Sequence, residues 1–149
     1  MILPENILRA MSPPDRKRYA AGQLTADEAL RKAATRAERE EHKVFINWLS
    51  QHEIEFRHDR MDRRTSGTLG WPDFTIVHGG RALLGDFKVY GNKLSPEQQH
   101  RFDRLLRGGT EVRIWSSANQ AIRQTRGWLW EHFRLHWAEP EESIEWTGP

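Results

Sequence analysis

The chain of 149 residues contains no cysteine. That excludes a disulfide framework, a thiolate zinc site and a cysteine nucleophile, and it fits a reducing cytoplasm, such as that of a bacterium or a phage-infected cell. Also missing is any apolar run near the roughly 20 residues that a membrane span needs, so no membrane partner is expected. The segment from Met1 to Ala10 lacks the charged start and continuous apolar stretch of a signal peptide. No internal repeat or low-complexity tract is visible. There is no strong excess of one charge either. The 23 Lys and Arg against 21 Asp and Glu give a formal net charge of +2. Such a balance permits a polyanionic partner without demanding one, so the placement of the charges matters more than their sum.

What is present reads as one compact domain. Apolar residues make up 37% and charged residues 30% of the chain, the mix of a soluble globular protein. Pro4, Pro13, Pro14 and Gly22 break up the first 24 residues. Thr25-Ala26-Asp27-Glu28 has the spacing of a capping box, which predicts a helix from Ala26 that can run on into the next segment. Residues 38–51 are helical in pattern, with Val44, Phe45, Trp48 and Leu49 on one stripe. Glu41 falls inside that stripe and Glu38 at its margin.

Ile54 to His58 alternates as a strand. Asp73–His78 and Ala82–Val89 read as two strands joined by a hairpin at Gly79-Gly80. Ser95-Pro96-Glu97-Gln98 starts a helix with a Ser cap, a Pro at its first position and a capping-box Gln. It ends near Gly108-Gly109. A strand at Val112–Trp115 and an amphipathic helix at Ala118–Phe133 follow. The expected class is α/β, with a central mixed sheet of about four strands flanked by helices. The element order is helix-strand-strand-strand-helix-strand-helix. Residues 1–35 are expected as a helical extension, 36–137 as the domain proper and 138–149 as a polar tail.

The chemistry sits at two adjacent strands. Side chains alternate faces along a strand, so Asp86 and Lys88 share one face with Leu84, while Phe87 and Val89 point the other way. Asp73 opens the preceding strand after Pro72. Pairing through the Gly79-Gly80 hairpin would bring Asp73 to the end where Asp86 and Lys88 lie. Two carboxylates and an ammonium then converge. Mg²⁺ wants such a place, because it takes oxygen ligands, keeps several waters and needs only one or two carboxylates. Lys88 is expected at the site and not in the core, so that its loss would leave folding nearly intact. The bland alternative is that Asp-x-Lys is a solvated ion pair and Pro-Asp a turn.

Gly70-Trp71-Pro72-Asp73, then Asp86-Phe87-Lys88, then Leu94-Ser95-Pro96-Glu97-Gln98 resembles the PD-(D/E)xK nuclease superfamily. Within it, the pattern is most similar to the virus-type replication-repair nuclease (VRR-NUC) domain. Gly109 and Val112-Arg113-Ile114-Trp115-Ser116 fit the end of that pattern, and the resemblance covers about residues 38–130. It implies a restriction-endonuclease-like core over 36–137. It implies metal ligands at Asp73 and Asp86 with the Phe87 carbonyl as a third, and Lys88 as the catalytic lysine. Gln98 becomes a site-facing residue, although a capping role explains it equally well. The family's first-helix Glu best matches Glu38 as catalytic and metal-site acid, with Glu41 as the alternative. Two departures stand out: Asp86 where Glu is usual, and His42 where Gln is more usual.

The basic residues Arg60, Arg63 and Arg64 precede the Pro-Asp strand, and Lys93, Arg101 and Arg104 lie on or beside the Ser95-capped helix. Both groups flank the expected site, where phosphate-positioning residues belong. The resemblance thus implies a metal-dependent DNA endonuclease using Mg²⁺, with Mn²⁺ as a substitute. Branched or four-way junction DNA in replication, repair or recombination is the substrate class it suggests, and a homodimer is the assembly it allows. The rival expectations are a non-catalytic DNA-binding module that kept a nuclease fold and a sequence-specific restriction-type endonuclease.

Overall fold

The computed structural model describes residues 2–59 and 70–140. Helices α1 (Glu5–Ala10) and α2 (Pro13–Ala20) precede the long α3 (Ala26–Gln51). Strands β1 (Phe56–His58), β2 (Phe74–His78) and β3 (Arg81–Phe87) follow, then α4 (Pro96–Arg107), β4 (Glu111–Trp115) and α5 (Ala118–Phe133). A 3-10 turn at His136–Ala138 ends the described chain. The four strands lie side by side in the order β1-β2-β3-β4. The first three are antiparallel, and β4 runs parallel to β3 after the α4 crossover. This is the α/β class with a four-stranded mixed sheet in the expected element order, and it is consistent with a restriction-endonuclease-like arrangement. No helix among the described residues is long and apolar enough to cross a membrane.

Local signals explain the elements. The Thr25 side chain accepts from the Glu28 N–H while the Glu28 carboxylate accepts from the Thr25 N–H, so the capping box is complete. From there α3 runs without a break to Gln51. It therefore serves two cores. Its first turns bury Ala29 and Ala33 against Leu3, Ile7, Met11 and Leu24. Its last turns bury Phe45 and Leu49 against the sheet.

Strand alternation divides the sheet into two faces. Phe74, Ile76, Leu83, Phe87 and Trp115 point to the side covered by α3 and α5. Phe45 of α3 meets both Phe74 and Trp115 edge-on at 5.1 Å, and each such aromatic pair adds about 0.5–1.5 kcal/mol beyond its buried area. On the opposite face Leu84 and Val112 pack under Phe102 of α4. The result is three layers, with α3 and α5 below the sheet and α4 above it.

The buried stripe of α3 differs from the expected one. Val44 is 51% exposed, Trp48 is half-buried, and His42 is buried in their place. The stripe that faces inward runs Glu38, His42, Phe45, Leu49, at spacings of four, three and four residues. It is helical spacing with polar residues on its upper half, which a search for apolar residues alone misses.

Candidate active site

The register of β2 and β3 brings the acids together. Phe74 pairs with Gly85 and Thr75 with Leu84, so Asp73, one residue ahead of β2, lies across from Asp86. The Asp73 backbone N–H donates to Asp86 Oδ1 at 3.2 Å. Lys88 continues the β3 line, with its N–H bonded to the Trp115 carbonyl at 2.9 Å. Its ammonium stands 2.8 Å from Asp86 Oδ2. Asp86 is 0% exposed and Asp73 4%, so both carboxylates are held out of water and need the partners they have.

Gln98 has both of the roles considered for it. Its Oε1 accepts from the Ser95 N–H at 2.9 Å and closes the capping box. Its Nε2 donates to Asp86 Oδ2 at 3.4 Å. A glutamate could make the first bond but not the second. Gln98→Glu is therefore expected to keep the cap and to set a second carboxylate against a fully buried one. We expect a stability loss of about 1–3 kcal/mol, read by urea unfolding. Wild-type stability in this variant would show that the Gln98–Asp86 contact contributes nothing.

Gly70 sets the approach of the Trp71-Pro72-Asp73 segment. Its φ is +76°, and a Cβ there would come within 2.5 Å of the Glu97 carbonyl oxygen. Only glycine lets the segment lie against the first turn of α4, beside Gln98. Trp71 in turn holds Arg101, whose guanidinium sits 5.7 Å from the ring centroid.

The two helix acids part company. Glu38 reaches the segment that follows Lys88, where its Oε1 accepts from the Val89 N–H at 3.3 Å and the Asn92 side-chain amide at 3.1 Å. Glu41 accepts from the Ala118 N–H at the start of α5. It satisfies one of the orphan donors of that helix and complements its positive end. The structure brings Glu38 to the edge of the cluster, whereas Glu41 joins two helices.

His42, one turn after Glu38, completes the surroundings. It is 8% exposed and its ring is wedged against Phe74 and Phe87. His42 Nδ1 lies 3.1 Å from His58 Nε2, and its Nε2 lies 3.7 Å from Asp73 Oδ2. Burial pushes its pKa down to about 4, helped by His58 and Lys88 and opposed by Asp86. The ring is therefore neutral at neutral pH. In the sequence His42 stands out only as a departure from the family pattern. Its place four residues after Glu38 was the available signal.

Of the expected DNA contacts, only those on or beside α4 fall among the described residues. Arg60, Arg63 and Arg64 lie outside the described residues. Lys93 is exposed on the turn before α4, and Arg104 is exposed one turn after Arg101. Beside α3 a cleft opens that Arg31, Arg36, Arg39 and Lys43 line, and it reaches Glu38 and His42. Lys43 is paired with Glu40 at 3.0 Å.

A hard cation fits this donor set. Two buried carboxylates at adjacent strands, with the Phe87 carbonyl between Asp86 and Lys88 in the chain, are oxygen donors of the kind Mg²⁺ takes, and a bound ion would draw its remaining ligands from water. Among the described residues no group of three or more His, Asp or Glu is arranged to hold a metal ion, so any cation here would rest on the two carboxylates, the Phe87 carbonyl and water.

Set against protein-family models, curated proteins and solved structures, the chain matches none. A function must then be argued from the chemistry of the site.

Proposed function

We propose that the protein is a Mg²⁺-dependent nuclease that hydrolyses DNA phosphodiester bonds at the Asp73, Asp86 and Lys88 cluster. One observation carries the reading. A fully buried carboxylate at a strand end is shared by an ammonium at 2.8 Å and by the backbone of a second buried aspartate. Burying two carboxylates this closely is expensive in a merely structural role, and buried charged groups gathered at one spot are typical of a functional site.

Asp73 and Asp86 would hold the cation, with the Phe87 carbonyl as a further donor. When bound, Mg²⁺ polarises the phosphodiester and lowers the pKa of a bound water. Lys88 stabilises the negative charge that builds on the phosphate oxygens. Gln98 keeps Asp86 in place through Nε2. Glu38 braces the backbone just past Lys88. Arg101, held on Trp71, and the exposed Lys93 and Arg104 position the phosphate backbone, which carries no base information. Junction or other branched DNA is the substrate shape that the sequence resemblance favours.

Incubation with linear, nicked, flapped and four-way DNA tests the proposal. Cleavage is expected with Mg²⁺ or Mn²⁺ and should vanish in EDTA. Full cleavage in EDTA would sink the metal mechanism. DNA binding without cleavage in either metal would leave a non-catalytic module with this fold.

A further inference from the structure

We propose that His42 is a positioning residue for Asp73, held in its own orientation by His58, so that a His58–His42–Asp73 chain of side chains sets the metal-facing carboxylate. The inference rests on the metal-site reading above and goes beyond it by assigning two residues to the support of the site.

The geometry leaves His42 little choice. Phe74 stands edge-on to its ring at 5.2 Å and Phe87 is tilted against it at 5.0 Å. The imidazole cannot turn without disturbing both. His58 is fixed as well, stacked on Phe74 at 4.6 Å. Between the two rings one proton bridges His58 Nε2 and His42 Nδ1 at 3.1 Å. The tautomer follows from what lies on the other side. His42 Nε2 faces the Asp73 carboxylate at 3.7 Å. A bare lone pair there would oppose a negative charge, whereas an N–H is attracted to it. The bridging proton therefore belongs to His58, and His42 carries its proton at Nε2.

That Nε2 is buried with no hydrogen-bond partner among the described residues. An unmet buried donor costs about 1–3 kcal/mol, and the remedy lies within reach. A movement of the Asp73 carboxylate by roughly 0.8 Å would bring it to hydrogen-bond distance of the N–H. One carboxylate oxygen would then be held by His42 while the other is presented to the cation. A histidine that only filled space would need no polar atom aimed at a carboxylate. Partners of this kind behind a ligating carboxylate typically change metal affinity by about 10–100-fold.

The test is Mn²⁺ binding, measured calorimetrically on the full chain without DNA. His42→Phe keeps an aromatic ring and removes the N–H, and its affinity for Mn²⁺ should fall by about 10–100-fold. His42→Gln restores an amide donor and should recover most of that loss. His58→Phe should weaken binding in the same direction by a smaller factor. A wild-type protein that binds no Mn²⁺ would overturn the metal reading and this inference together. Wild-type binding matched by His42→Phe would overturn this inference alone. A two-bond ¹H–¹⁵N spectrum of the wild-type protein needs no variant: an Nε2–H tautomer of His42 is expected, and an Nδ1–H tautomer would overturn the assignment.

Discussion

Lys88→Ala is expected to lower DNA cleavage by about 10²-fold or more, the scale of losing an electrostatic stabiliser, and to destabilise the fold by roughly 3–5 kcal/mol. The two effects have one cause. The Lys88 side chain is only 13% exposed and its ammonium sits 2.8 Å from a carboxylate that is fully buried. Read as sequence, Lys88 belongs to the site alone, and its removal leaves folding nearly intact. The structure makes it also the neutralising partner of Asp86. Removing it strands a buried negative charge whose remaining partners are the Asp73 N–H and the Gln98 amide, neither of which carries a charge.

A second variant separates the roles. Asp86→Asn/Lys88→Ala removes both charges, so much of the stability should return while cleavage stays lost, because breaking a buried pair costs more than deleting it. Urea unfolding and initial cleavage rates read the two quantities. Cleavage within a few-fold of wild type in Lys88→Ala would move the chemistry elsewhere. Unchanged stability would mean that the two neutral donors suffice for Asp86.

How far the sequence showed this depends on how local each interaction is. The capping boxes at Thr25 and Ser95 are complete within four residues, and both helices begin where those signals place them. The pairing of Asp73 with Asp86 needed only a hairpin and strand alternation, and it is there. Glu41 could not be read so. Its partner is the Ala118 N–H, far along the chain, and nothing near Glu41 announces a helix start that the fold brings beside it. His42 was hidden for another reason. Apolar spacing alone points to Val44, yet the helix turns its polar upper stripe inward because the strand ends there offer His58 and Asp73 as partners.

Gly85 carries no chemistry in the sequence, yet a substitution there is expected to carry a large structural penalty. A Cβ on Gly85 would come within 2.0–2.5 Å of three atoms of the Trp115 six-membered ring. Trp115 is fully buried, and Phe45 and Phe87 crowd its ring at 5.1 and 5.4 Å. Its indole N–H is held by Gln124 Oε1 at 3.0 Å. The ring has nowhere to retreat, so the added methyl must push β3 itself. Overpacking a dense core costs about 1–3 kcal/mol, and Gly85→Ala should reach the upper end of that range or pass it.

The displaced strand carries Asp86 as its next residue. A shift near 1 Å in a group that positions the reaction can cost about 10²-fold in rate. Gly85→Ala should therefore lose both thermal stability and cleavage without touching any polar side chain. Trp115→Leu gives the control. Alone it destabilises by opening a cavity, but in the double variant the alanine methyl moves into space that the indole has left. The combined loss should be smaller than the sum of the single losses by about 1–3 kcal/mol, a coupling expected only of residues in contact. Simple additivity in unfolding experiments would show that the ring does not press on Gly85. The line that ties the packing of the sheet to the placing of the Asp86 carboxylate would then be broken.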